Sequence, residues 1–254
     1  MRQAMTSVAH GELIRASAWR AAVQRPAPPG GKVAFIGANN PETARMVRDV
    51  QVATGVEFIG YFDNDPDKKG RTFCGLPVFG GFDDLLGCDR TAFGLVNLIT
   101  RDTKTRHETT RFFAENGFAA ADFIHPSINL DGVTLGRGVY LQEGVIVQGG
   151  VVLGDNVCVN SGATISHETS LGTSCFVAPG ATLAGLVTLE PGVLIGAGAS
   201  VMPRLSLGTG TTVGAGAVIT KDTTERSIMV GVPAVETGKT PDDEAFLPLF
   251  LDKM

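Results

Sequence analysis

Four histidines occur in the 254 residues, at His10, His107, His125 and His167, and they are the first place to look for acid–base chemistry. His10 lies in an N-terminal arm and His107 on a helix among charged residues. His125 precedes Pro126, where a structural hydrogen bond is its expected job. His167 stands apart, because it falls in ATISHETSLG with Glu168 beside it. An imidazole that titrates near neutrality is the usual general base, and an adjacent carboxylate orients it or raises its basicity. Asn160, in VNSGA, is the candidate for positioning a substrate group. A solvated histidine at a turn has the same signature, so the pair leaves catalysis and a plain surface role both open.

A second polar set follows short apolar runs nearer the N-terminus. Gly37, Asn39 and Asn40 come after KVAFI, Asp63 and Asn64 after VEFIGYF, and Thr100 and Arg101 after FGLVNLI. Asp63 lies 26 residues beyond Gly37, close to where dinucleotide folds place a ribose-binding carboxylate. The loop reads GANNPE and lacks the glycine pattern that cradles a pyrophosphate, so an NAD-dependent reaction is not expected. Nucleotide binding and simple turn capping both remain open for Asp63 and Asn64. Zinc chemistry on a solenoid needs three imidazoles, and the repeat region holds one internal histidine and no CxxC pair, so no metal site is expected.

The elements that must position these residues are legible. From Leu135 to Ile219 an aliphatic side chain recurs every sixth residue for fifteen hexads without a phase slip. Smaller side chains, from Val139 to Ala217, follow four residues after each aliphatic. A period of six fits neither a helix nor a lone alternating strand. It fits a parallel β-solenoid with three hexads per coil, aliphatics stacked inward and coils at the ~4.8 Å strand spacing. His167, two residues after inward-facing Ile165, then projects near a corner.

Upstream, residues 32–125 alternate strand and helix patterns. KVAFIGAN, VEFIGYFDND, FGLVNLIT and FAAADFIH read as strands, and PETARMVRDVQVATG and TKTRHETTRFFAENG as helices. That order predicts a small Rossmann-like parallel sheet with its crevice at the strand carboxyl ends. The expected organisation is an arm and linker (1–31, with a helix over 8–24), the α/β domain (32–125), the solenoid (126–235) and a C-terminal tail (236–254). GVPA at Gly231–Ala234 reads as a terminating turn, and DDEAFLPLFLDKM as a short helix packing on the prism end or on a neighbour. A net charge of −5 argues against nucleic acid or an anionic membrane as partner. No apolar stretch reaches the ~20 residues that cross a bilayer, the first thirty residues do not read as a signal peptide, and a cytoplasmic setting is expected.

The hexads, the SHETSLG segment, the closing VGAGAVITKD…GVPA, and the upstream VNLITRDTKTR and FIHPSI together resemble the bacterial hexapeptide-repeat sugar acetyltransferases. The nearest subgroup is that of sialic-acid O-acetyltransferases and UDP-amino-sugar N-acetyltransferases. The resemblance spans roughly Lys32 to Val235 and implies a left-handed parallel β-helix, a homotrimer, and acetyl-CoA held between adjacent prisms. It implies a nucleotide sugar, of the UDP-amino-sugar kind, in the N-terminal domain. By position it makes His167 the base and Glu168 its supporting carboxylate, and puts Gly185, Ala197 and Ala215 along the pantetheine channel. Two positions depart from the family. Phe176 stands where a second histidine meets the thioester, and Pro41, in ANNPE, where a substrate-contacting histidine sits. The reading is N-acylation of a nucleotide-linked amino sugar, with O-acetylation of sialic acid or another sugar hydroxyl, or a catalytically silent β-helix scaffold, as alternatives.

Overall fold

A computed structural model describes residues 27–100, 102–241, 246, 249 and 250. The helix expected over 8–24, Arg101 and most of the C-terminal segment lie outside the described residues.

The α/β domain starts with β1 (Lys32–Ile36), whose burial pattern is nearly continuous because both its faces are covered. Helix α1 (Glu42–Thr54) follows and stops at Gly55, which takes the left-handed conformation that lets the chain turn into β2 (Glu57–Phe62). An antiparallel hairpin comes next, β3 (Thr72–Phe73) and β4 (Leu76–Gly80), then the short helix α2 (Phe82–Leu86). Neither was expected from the sequence. β5 (Gly94–Asn97) and α3 (Thr103–Glu115) complete the domain. The strand order is β3-β4-β2-β1-β5, with the pairs through β1 parallel. The chain leaves β1 toward β2 and returns on its other side as β5, so the switch point lies between β1 and β5.

FAAADFIH does not add a full strand to that sheet. Only Ala120 bridges Leu95, while β6 (Phe123–Ile124) pairs with Tyr140–Leu141 of the solenoid. Strand-like residues declare extension but not partner, and here the apolar row of the prism supplied the partner.

The solenoid has fifteen two-residue strands, β7 to β21, from Thr134–Leu135 to Val218–Ile219, each ending on the aliphatic of one hexad. Each pairs in parallel with strands eighteen residues away, as Val152 does with Thr134 and Ser170. Three hexads therefore make one coil. The aliphatic column and the smaller column form one continuous buried stack, closed at one end by partly buried Leu135. Two threonines within the smaller column are satisfied: Thr169 Oγ1 donates to Ala184 O and Thr211 Oγ1 to Thr224 O. The chain leaves phase into a hairpin, β22 (Ser227–Gly231) and β23 (Ala234–Lys239), and the GVPA turn is where it reverses.

One prism face differs from the other two in its outward side chains. Tyr140, Cys158 and Phe176 point out from it and join Phe35, Phe58, Val50 and Phe123 in the core of the α/β domain. The prism thus has one face covered by the α/β domain, flanked by the corner before Tyr140 and the corner after Leu141. The third corner, which follows Val147, Ile165 and Leu183, is the edge opposite that face.

Candidate active site

His167 and Glu168 sit at this third corner. Glu168 has φ 56°, in line with Gly150, Leu186 and Arg204, which hold the same left-handed turn in neighbouring coils. The turn throws the Glu168 carboxylate back toward the preceding residue, and its Oε2 lies 3.2 Å from His167 Nδ1. The His167 backbone N–H donates to Gln148 Oε1 at 3.0 Å, fixing the main chain under the ring. The ring itself lies over Gly185 of the next coil, where an added Cβ would stand 2.5 Å from Nε2. Both side chains are more than half exposed, at 57% and 63%. One nitrogen faces a carboxylate, and the other sits in the open on a floor with no side chain. That arrangement can accept a proton from an incoming nucleophile.

Asn160 is placed otherwise. It is buried at the corner after Val159, with Nδ2 donating to Val177 O at 2.8 Å. Its amide is used inside the prism, and within one chain the structure does not bring it to His167. Ala197 and Ala215 stack one coil apart on that same corner, Gly216 N–H donating to Ala197 O. Phe176 lies on the covered face, half-buried against the α/β core. Among the cofactor-channel residues, Gly185 alone shares the corner of His167.

The crevice residues converge at the carboxyl ends of β1 and β2. Asp63 Oδ2 accepts from the Ala38 N–H and from Lys68 Nζ, both at 2.8 Å, and Oδ1 accepts from the Asp65 N–H. Burial works to raise the Asp63 pKa, but these hydrogen bonds and the Lys68 charge outweigh it and hold the carboxyl below its usual range. Asp63 therefore braces the first loop. Asn64 Oδ1 accepts from the Phe82 N–H and caps α2, while Asn40 Oδ1 accepts from the Glu42 N–H at the start of α1. Gly37 takes φ 93° where the chain turns out of β1, and Asn39 is left exposed beside it. A cleft of about 430 Å³, lined by none of these residues, runs between the start of α3 (Asp102–Lys104) and the upper coils of the covered face, floored by Leu194 and Thr212.

Two histidines are structural. His125 bonds Ser127 Oγ through Nδ1 at 2.7 Å and faces Asp49 of α1 through Nε2, stitching the domains together as its junction position suggested. His107, which the sequence put on a helix among charged residues, is fully buried between α3 and the prism, with Nδ1 2.9 Å from Ser174 Oγ. Burial, helped by nearby Arg111, pushes its pKa down to about 4. Arg106 beside it is also fully buried. Neither was foreseeable, since a buried polar residue and a solvated one look alike in a helix of low hydrophobicity.

The fold is that of hexapeptide-repeat proteins. The family model "bacterial transferase hexapeptide (six repeats)" matches residues 132–167. A comparison with curated protein sequences finds no significant match. Among solved structures, the acetyltransferase domain of PglB from Neisseria gonorrhoeae is 29% identical with a TM-score of 0.74, covering 81% of this chain and 98% of that one. It has also been solved with acetyl coenzyme A. PerB from Caulobacter crescentus, solved with CoA and GDP-perosamine, is 29% identical with a TM-score of 0.74, covering 84% and 100%. WeeI from Acinetobacter baumannii, at 22% identity and a TM-score of 0.71 over 80% and 98%, supports the fold alone. The chain has the architecture of the hexapeptide-repeat sugar acetyltransferases, the family its sequence resembles.

Proposed function

We propose that this chain transfers an acyl group, acetyl in the first instance, from acyl-CoA to the amino group of a nucleotide-linked amino sugar. The observation that carries the reading is the His167 ring, held against Glu168 and floored by Gly185, on a chain whose fold is shared with a protein solved with both CoA and GDP-perosamine. In this reading the sugar amine attacks the thioester carbonyl while His167 Nε2 takes the amine proton. The C–S bond then breaks, an amide remains, and the thiolate leaves as CoA thiol with that proton. Backbone N–H groups carry the oxyanion. Phe176 offers no hydrogen-bond donor to the thioester, so the side-chain help seen in the family pattern is not available from that position. Gly37, Asn39 and Asp63 shape the nucleotide end, with Asp63 acting through the loop it braces.

His167 occupies the edge opposite the face that carries the α/β domain. A crevice and a base from one chain therefore sit on opposite sides of one prism, and a neighbouring copy completes the site. This supports a homotrimer, with the cofactor between prisms along Gly185 of one copy and Ala197 and Ala215 of the next.

The test is release of CoA thiol from acetyl-CoA with UDP-, GDP- and dTDP-linked amino sugars, with sialic acid as the hydroxyl acceptor. Transfer to an amino sugar is expected, with His167→Ala slower by about 100-fold, the usual worth of a general base. Equal turnover in His167→Ala removes that residue from the mechanism, transfer to sialic acid alone makes the enzyme an O-acetyltransferase, and no acetyl-CoA binding leaves only a scaffold.

A further inference from the structure

Arg106 is fully buried, yet it has no ion-pair partner among the described residues. Its Nη1 donates to Asn97 O at 2.7 Å and Ile99 O at 3.2 Å, and its Nε donates to Asn156 O at 3.1 Å. The first two carbonyls belong to the carboxyl end of β5, and the third to a corner of the prism. Nη2 has no acceptor among the described residues. A guanidinium buried this way is costly, and an apolar side chain of similar length would be the cheaper way to fill the space.

A row of buried side chains runs beside it. Asn97 Nδ2 donates to Thr110 Oγ1, Thr110 Oγ1 to Asn156 Oδ1, and Asn156 Nδ2 to Ser174 Oγ. Asn97 Oδ1 in turn accepts from the Ile99 N–H. Both prism residues occupy left-handed corner turns, at φ 59° and 58°, one coil apart. The bonds thus run from the rigid solenoid to the backbone on either side of Leu98, where the chain leaves β5 for the crevice and the cleft at Asp102–Lys104.

We infer that Arg106 is a positioning residue for the nucleotide-sugar half of the site: it sets the carboxyl end of β5 against the prism and so fixes the crevice relative to the upper coils. The inference rests on the function proposed above. A planar fork reaches the carbonyls of the two domains from two separate nitrogens, Nε and Nη1, where a lysine ammonium has only one. Gly185, Ala197 and Ala215 lie on the other two corners of the prism, away from Asn156 and Ser174.

The experiment is steady-state kinetics on Arg106→Met and Arg106→Lys in the full chain, varying each substrate in turn, with melting temperature alongside. Both variants should raise KM for the nucleotide sugar about ten-fold or more, leave KM for acetyl-CoA within about two-fold and kcat within about three-fold, and melt within a few degrees of wild type. Unchanged nucleotide-sugar KM overturns the inference. So does a parallel loss for both substrates with a lowered melting temperature, which makes Arg106 a fold residue only. If Arg106→Met is insoluble, Thr110→Val cuts the same seam at nearly constant volume, and an unchanged nucleotide-sugar KM there is equally fatal. A wild-type chain inert toward every nucleotide sugar counts instead against the proposed function. Calorimetry with UDP and GDP still reads the crevice in that case, and weaker binding by Arg106→Met is the result the inference requires.

Discussion

Gly185→Ala is the sharpest probe of the proposed base. An ideal Cβ at this position would stand 2.5 Å from His167 Nε2, 2.6 Å from Cε1 and 3.1 Å from Cδ2. Ordinary contact requires about 3.5 Å, so the ring must retreat by about 1 Å. Nothing else need move. The Gly185 φ lies outside the left-handed region, and the ring can swing into solvent. Stability should therefore change by less than about 0.5 kcal/mol. A displacement of ~1 Å of a catalytic group costs on the order of 100-fold in rate, or about 2.7 kcal/mol of barrier. The assay is kcat from CoA-thiol release, with melting temperature and the acetyl-CoA Kd measured on the same protein. If Gly185 acts through the ring, Gly185→Ala in a His167→Ala background costs nothing further. Turnover within two-fold of wild type would refute the geometry. An additive loss with weakened acetyl-CoA binding would show that Gly185 serves the pantetheine channel and not the imidazole.

Two other outcomes follow from the structure. If crevice and base come from different copies, co-expressing His167→Ala with a crevice-blocked Asn39→Trp chain should restore about a quarter of wild-type turnover by random mixing, although each variant alone is impaired; no recovery places the whole site in one chain. His107 titrates near 4 when folded and about 6.5 when unfolded, so the unfolded chain takes up the proton first as pH falls. Stability is then lost between about pH 6.5 and 4, by on the order of 3 kcal/mol. Melting curves across that window should show a steeper decline in wild type than in His107→Gln, and parallel declines would refute the assignment. Asp63, lowered in the fold, contributes its own loss only at more acid pH.

The solenoid was legible in the sequence because its core is written at one residue in six, and nothing else repeats that way. The α/β crevice was legible because three apolar runs lead into Gly37, Asp63 and Thr100. The β3–β4 hairpin and α2 were not, since TFCGLPVFG is short and its glycines suggest a loop. The buried seam was hidden for a different reason. TKTRHETTR is polar throughout, and only the three-dimensional arrangement tells that Arg106, His107 and Thr110 face protein. Asn160 shows the reverse: its type suggested substrate contact, while a carbonyl of the next coil already engages its amide. His167 was visible because it interrupts a repeat, but its floor at Gly185 was not, because contacts eighteen residues apart carry no local mark.

The three prism sheets are unequal in length. Two have five strands and the one under the α/β domain has eight, running from β6 at one end to the β22–β23 hairpin at the other. Stacked flat strands present hydrogen-bonding rims on which a further molecule could add end to end, the growth mode of fibres. On the long sheet the bottom rim is occupied by Phe123–Ile124 and the top rim by an antiparallel hairpin, which offers no parallel register to a newcomer. Leu207 is also bridged by Thr223 on a second side. Because a coil extends all three sheets together or none, capping one sheet interrupts end-to-end growth of the column.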